Sequence, residues 1–279
     1  MWVGQQLADG LDFWGFLGSL ILGGIILGIY TGLLGYVGAK TGLSLDLLSQ
    51  RAFGEKGSYL PSAMTSFTQI GWFSVGSFVS GGTATPNFAR FAKNGKSGAI
   101  TTVVAFFIGN SLMFFFGAVS SIFVGGNDIF EVMVRLNLFY LAVLVLGLNI
   151  WTTNDNALYT AGLGLANIFH QRKKPMVLLS GIIGTVASVW LYYNFCGWLN
   201  ILNCTLPPVG MILVLAYFMN KEDFETDQPK LKTIDWFAVA GVILGAIVAN
   251  LLHWGIASIN GMVVAAVCYC IGQAVNKRK

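Results

Sequence analysis

The chain has 279 residues, of which 55% are hydrophobic and only 10% charged, with a mean hydropathy of +0.70. Soluble domains carry about 25% charged residues, so the composition excludes a soluble globular enzyme and points to an integral membrane protein. The net charge of +4 comes from short basic clusters beside apolar runs. Such clusters set membrane topology and do not mark an acidic partner; no nucleic-acid-binding motif is present.

Taken in order, residues 1–12 are mixed, and residues 13–36 form a glycine-rich span in which Gly23, Gly24, Gly28 and Gly32 favour close helix contacts. The polar segment 39–58 carries Lys40, Arg51 and Lys56 at a membrane boundary and reads as cytoplasmic. Residues 59–88 are again apolar or small, with Gln69, Trp72 and a broken run from Ser80 to Pro86, but Arg90, Lys93 and Lys96 follow at once. Both flanks of this stretch are therefore basic, which a single crossing does not allow.

Downstream the alternation recovers. Residues 99–124 form a span, 125–137 a short loop, and 138–168 a long span followed by the basic run from His170 to Lys174. Residues 177–195 cross outward and 198–219 return, with Pro207 and Pro208 expected to break that helix. A charged loop over 220–233 leads to a final hairpin, 236–253 and 256–275, and a Lys277-Arg278-Lys279 tail on the cytoplasmic side. About eight hydrophobic segments result, giving an all-α polytopic membrane protein; helices fit runs of this length better than a barrel's weak alternation.

The long span holds a polar island, Asn149-Ile150-Trp151-Thr152-Thr153-Asn154-Asp155-Asn156. On a helix, Asn149, Thr152, Thr153 and Asn156 fall at i, i+3, i+4 and i+7, so their oxygens share a face. Two readings stand side by side: a site for a ligand or a hard monovalent cation such as sodium, or hydrogen-bonding glue between helices. Cys196, Cys204, Cys268 and Cys270 lack zinc-site spacing and read as small buried hydrophobes, and His170 and His253 have no ligand set around them. Positioned acid, base or nucleophile groups are nearly absent from the interior, so no covalent chemistry is expected.

Several ordered motifs resemble one family. They are Leu27-Gly28-Ile29-Tyr30 through Gly38-Ala39-Lys40-Thr41-Gly42-Leu43, Gln69-Ile70-Gly71-Trp72-Phe73, Gly109-Asn110-Ser111 within 107–114, Gly147 through Ala157, Gly181-Ile182-Ile183-Gly184-Thr185 and Pro207-Pro208-Val209-Gly210. The chain is similar to the nucleobase:cation symporter-1 transporters, in their cytosine permease branch. That resemblance implies a leucine-transporter-like bundle of two inverted repeats of five helices within twelve, alternating access, sodium-coupled import of a nucleobase such as cytosine, and a bacterial inner-membrane location. It implies base contacts at Gln69 and Trp72, with Ser77, Phe78 and Ser80 from a second motif, and sodium ligands at Asn149, Thr152 and Thr153. Sodium is then the coupling ion, with no organic cofactor.

Against the family pattern the chain starts in the middle of the first helix and jumps, between Gly76 and Ser77, from the third helix to the sixth. A junction at 76–77 in a single transporter domain explains the two basic flanks of 59–90. It leaves a re-entrant hairpin, a single span that drags a charged loop to the wrong side, or an incomplete or internally deleted chain, the last being the expectation. A partial inverted-repeat bundle follows, and with it a rival to the transporter: a remnant that no longer transports. Uracil, allantoin or purines remain alternative cargoes.

Overall fold

The computed structural model describes residues 11–75, 81–125, 129–226, 229, 231–252 and 254–276. Every regular element among them is helical. In chain order these are α1 (Phe13–Thr41), α2 (Leu45–Phe53), α3 (Tyr59–Val75), the short α4 (Gly81–Ala84) and α5 (Pro86–Ala89), and α6 (Gly95–Val104). A π-helical turn (Ala105–Gly109) continues α6 into α7 (Asn110–Val124); α8 (Ile129–Arg135), α9 (Phe139–Phe169), α10 (Lys173–Tyr193), α11 (Phe195–Met219), α12 (Lys221–Glu225), α13 (Trp236–Leu251) and α14 (Ala257–Asn276) follow.

Among the described residues five stretches are long and apolar enough to cross a membrane: Phe13–Thr41, Gly95–Val124, Lys173–Leu191, Gly197–Met219 and Ala257–Val275. With 31 residues, α9 has the length for a crossing and carries the polar island near its middle, whereas α13 is apolar but has 16. The protein is an all-α polytopic membrane protein.

Helix ends follow local chemistry. Asp12 caps α1, its carboxylate accepting from the Gly15 amide at 3.0 Å, and Gly42 ends the helix at φ 69, a left-handed conformation that a Cβ would disfavour. Ser44, Asn94 and Asp235 accept in the same way from Leu47, Ser97 and Ala238. The small residues of α1 work as its glycine pattern suggests: Gly24, Gly28, Gly32 and Gly35 let Phe107, Val103 and Thr102 approach closely. Gly23 does not take part, since nothing lies within 4 Å of its Cβ position.

One end of the bundle is densely tied together. The polar segment after α1 contains α2, which tucks Leu45, Leu48 and Phe53 under Leu34 and Val37 of α1 and against Val209, Ile212, Leu213 and Tyr217 of α11. Backbone bonds from Glu55 to the Lys232 carbonyl (2.8 Å) and from Asp235 to the Phe53 carbonyl (2.6 Å) join it to the start of α13. Arg51 donates to the Asp223 carbonyl at 2.8 Å, and Lys40 lies 3.8 Å from Glu225. Every described Lys and Arg except Arg135 sits at or beside this basic end.

That geometry traces the path of residues 59–90. Ser62, in the first turn of α3, bonds Asp46, and the Leu45 amide donates to Asn87 Oδ1 at 2.8 Å, so both flanks of the stretch lie at the basic end. The chain leaves along α3 and returns past Thr83, which bonds Tyr30 at 2.8 Å, and Pro86, which packs on Gly38. The two described flanks of the stretch thus both reach the basic end; residues 76–80, with the expected junction at 76–77, lie outside the described residues.

Two expectations need correction. Pro207 and Pro208 do not break their helix: α11 runs unbroken through both. A proline at 207 removes the amide that would meet the Asn203 carbonyl, and Ser258 Oγ of α14 donates to that carbonyl instead at 3.1 Å. The described cysteine side chains are not uniformly buried: Cys204 is, Cys268 is partly so and Cys270 is exposed, while the Cys196 side chain lies outside the described part.

Gly38 backs directly onto another chain segment, with a Cβ there only 2.7 Å from Pro86 Cα. Gly38→Ala is therefore expected to lower the apparent Tm in detergent, by overpacking of roughly 1–3 kcal/mol. Gly23→Ala, facing open space, is expected to leave it unchanged or higher.

Candidate functional site

Gln69 is buried, 7% exposed, on α3. Two residues on, Gly71 lies flat against the Trp198 ring of α11, a contact that leaves no room for a Cβ. Trp72 follows on α3 one turn after Gln69, but its ring, like all of Ser77, Phe78 and Ser80, lies outside the described part. Of the five expected base contacts, the structure thus positions one side chain, Gln69.

A cavity of about 250 Å³ opens between α1, α11 and α14, lined by Leu27, Tyr30, Thr83, Asn203, Pro207 and Ser258 among others. Its polar atoms are neutral oxygens and an amide: the Tyr30 and Thr83 hydroxyls, the exposed Asn203 side chain and Ser258. Gln69 is not among the lining residues. Sequence reasoning did not find this cavity, because its wall combines residues from 23 to 262 and forms only where α11 stays helical through Pro207 beside α14.

The polar island stands on the outer half of α9. Asn149, Thr152, Asp155 and Asn156 are exposed, and Thr153 is partly buried. Thr152 Oγ1 donates to its own helix, to the Leu148 and Asn149 carbonyls at 3.1 Å each, leaving its lone pairs turned outward. Trp151 Nε1 donates to Asp155 Oδ2 at 3.0 Å. The shared helix face is present as the spacing implies; among the described residues the hydrogen bonds of Trp151 and Thr152 stay within α9.

The inner half of α9 is different. Asn167 donates to Ser62 Oγ (2.8 Å) and Ser58 Oγ (3.1 Å), and accepts from Gln50 Nε2 at 2.6 Å. Ser62 in turn donates to Asp46 Oδ1 at 2.6 Å, and Ser66 to the Ala161 carbonyl at 3.1 Å. Arg90 donates to Tyr159 Oη, and Lys173 Nζ stands 3.8 Å over the same ring. Asp46 is 5% exposed, and burial pushes its carboxyl up to about 6, against the smaller lowering effects of Ser62, its own amide and Arg90. No spacing signal announces this network, since its members come from α2, α3, α9 and the segment after α5.

A model of the family "Permease for cytosine/purines, uracil, thiamine, allantoin" matches residues 1–84 and 74–274. The chain belongs to this permease family. The cytosine permease of Escherichia coli strain K12 is 36% identical over 372 aligned positions, covering 100% of this chain and 88% of the relative. The cytosine permeases of E. coli O6:H1 and O157:H7 match to the same extent. The family match comes in two pieces that meet at 74–84, and the alignment is longer than the 279-residue chain, so a block of the relatives' positions has no counterpart here.

The Asp46 carboxyl gives a signed pH dependence. Its folded value of about 6 lies above the ordinary 3.8, so the folded state holds the proton more tightly. Stability from this group is complete below about pH 4 and is lost as pH rises through 6, a swing of roughly 3 kcal/mol. Asp46→Asn is expected to flatten that part of the Tm-against-pH profile in detergent; an unchanged slope would contradict the assignment.

Proposed function

We propose that this permease-family protein carries cytosine across the bacterial inner membrane by alternating access, coupled to sodium. The observation that carries the reading is the 36% identity to cytosine permease along the whole of this chain. In this reading the Gln69 amide hydrogen-bonds the edge of the base, the Trp72 and Phe78 rings hold its faces, and Ser77 and Ser80 complete the polar contacts. A flat, neutral heterocycle is recognised by stacking and edge hydrogen bonds, which suits an amide and two indole or phenyl faces. Asn149, Thr152 and Thr153 supply sodium oxygens from one face of α9, with the remaining ligands coming from outside that helix.

Coupling requires that sodium and base both favour the same state of the transporter, since a ligand shifts an equilibrium only by its differential affinity. The basic end is taken as cytoplasmic on the positive-inside rule, which puts the C-terminus there too. No covalent step is involved.

A second reading has its own support in the family match that divides at 74–84 and the block of relative positions without counterpart. In that reading the chain is a remnant that folds and no longer transports.

Equilibrium binding of radiolabelled cytosine to the purified protein, in sodium and in choline, separates the two. The transporter reading expects binding in sodium that weakens in choline, a roughly tenfold loss with Trp72→Ala, and a loss with Asn149→Ala that is larger at low sodium than at high. Absence of binding in both salts by folded protein favours the remnant.

A further inference from the structure

The cavity between α1, α11 and α14 has no part in the base and sodium contacts assigned above. Neither Gln69 nor Trp72 is among the residues that line it, and none of its lining residues carries a charge. Its apolar walls include Ile26 and Leu27 of α1, Leu206 of α11, and Ile259 and Met262 of α14. At one end Tyr30 Oη occupies a notch that Gly210 leaves, where a Cβ would collide with it, and bonds Thr83 Oγ1 at 2.8 Å. That end is polar but satisfied, since the two hydroxyls meet each other.

The other end is not. Asn203 stands on α11 seven residues before Gly210, about 10 Å further from the basic end. Its backbone carbonyl accepts from Ser258 Oγ at 3.1 Å, but its side-chain amide makes no hydrogen bond among the described residues. Counted from Met219 at the basic end, Asn203 lies about 24 Å along the helix, inside a hydrocarbon layer of about 30 Å. An amide without a partner at that depth is costly. A lipid acyl chain entering the cavity leaves that cost in place, whereas a ring compound that carries a donor and an acceptor removes it. The volume of about 250 Å³ exceeds the roughly 150 Å³ that holds one benzene ring and falls below the pockets of drug-sized ligands, about 300–1,000 Å³. One or two fused rings fit, and the uncharged walls select a neutral molecule.

We propose that this cavity binds a neutral planar compound of one or two fused rings, held through an N–H and an acceptor nitrogen or carbonyl side by side on one edge. The Asn203 amide donates to the acceptor and takes the N–H on its own oxygen, a two-point contact that a carboxamide's adjacent donor and acceptor allow. The rings then extend from Asn203 along Ile26, Leu27, Leu206 and Met262 toward the Tyr30–Thr83 pair. The site is separate from the Gln69 and Trp72 contacts and does not depend on whether the protein transports.

Equilibrium dialysis of tritiated azaindole, the isomer with its N–H and ring nitrogen on one edge, tests this with the full chain in lipid nanodiscs, in choline without sodium, and with empty nanodiscs as the blank. Saturable binding above the blank is expected. Asn203→Leu, which keeps the bulk and removes the amide, is expected to weaken it roughly tenfold. Ile259→Trp, which fills the cavity from the α14 side, is expected to abolish it; gel filtration of each variant checks the fold. Absence of saturable binding by the unaltered protein overturns the proposal, as does binding that Asn203→Leu and Ile259→Trp both leave unchanged. Binding lost with Trp72→Ala overturns it as well, because the probe then occupies the base contacts and not this cavity.

Discussion

The arrangement at the basic end depends on one half-buried amide, that of Asn167. Asn167 uses both amide protons on Ser58 and Ser62 and its oxygen on Gln50, while Ser62 passes its own proton to Asp46. A buried polar group left without a partner is costly, and one whose groups are all met is specific. This network therefore holds α2, α3 and α9 in a single register, and the apolar contacts of Leu45, Leu48 and Phe53 complete the packing around it.

The same requirement explains the contrast along α9. Its inner half bonds neighbouring helices through Asn167 and Tyr159, though the buried Thr160 hydroxyl has no partner among the described residues; its outer half shows Asn149, Thr152, Asp155 and Asn156 to the surroundings. Water could satisfy those atoms, but lipid does not. A helix of this composition is at home beside protein, and the relatives, which align over more positions, have more of it.

The hairpin over 59–90 is a consequence of the basic end and not an independent element. Asn87 of α5 fastens the second flank of the stretch to the α2 N-terminus, and Gly38 admits Pro86 against α1. With both described flanks held there, Arg90, Lys93 and Lys96 join the other cations on one side, as the positive-inside rule favours. Gln69 stands buried on α3, two residues before the Gly71 that backs onto Trp198 of α11, and Thr83 stands beside Tyr30 in the cavity wall.

The amino-acid sequence by itself determined the class of molecule, the approximate helix positions, the family and the unequal treatment of residues 59–90, because hydropathy, capping residues, charge and motif order are local properties. It also placed Asn149, Thr152, Thr153 and Asn156 on one face, since helical periodicity alone does that. It misjudged α11: Pro207 breaks an isolated helix, and only the Ser258 hydroxyl arriving from α14 makes the freed Asn203 carbonyl tolerable. The Asp46–Ser62–Asn167 network and the cavity beside Tyr30 were equally invisible, as both join residues far apart in the chain. Only the tertiary structure decided which polar side chains have partners, because satisfaction of a hydrogen bond inside a membrane depends on what lies across the gap and not on what lies next along the chain.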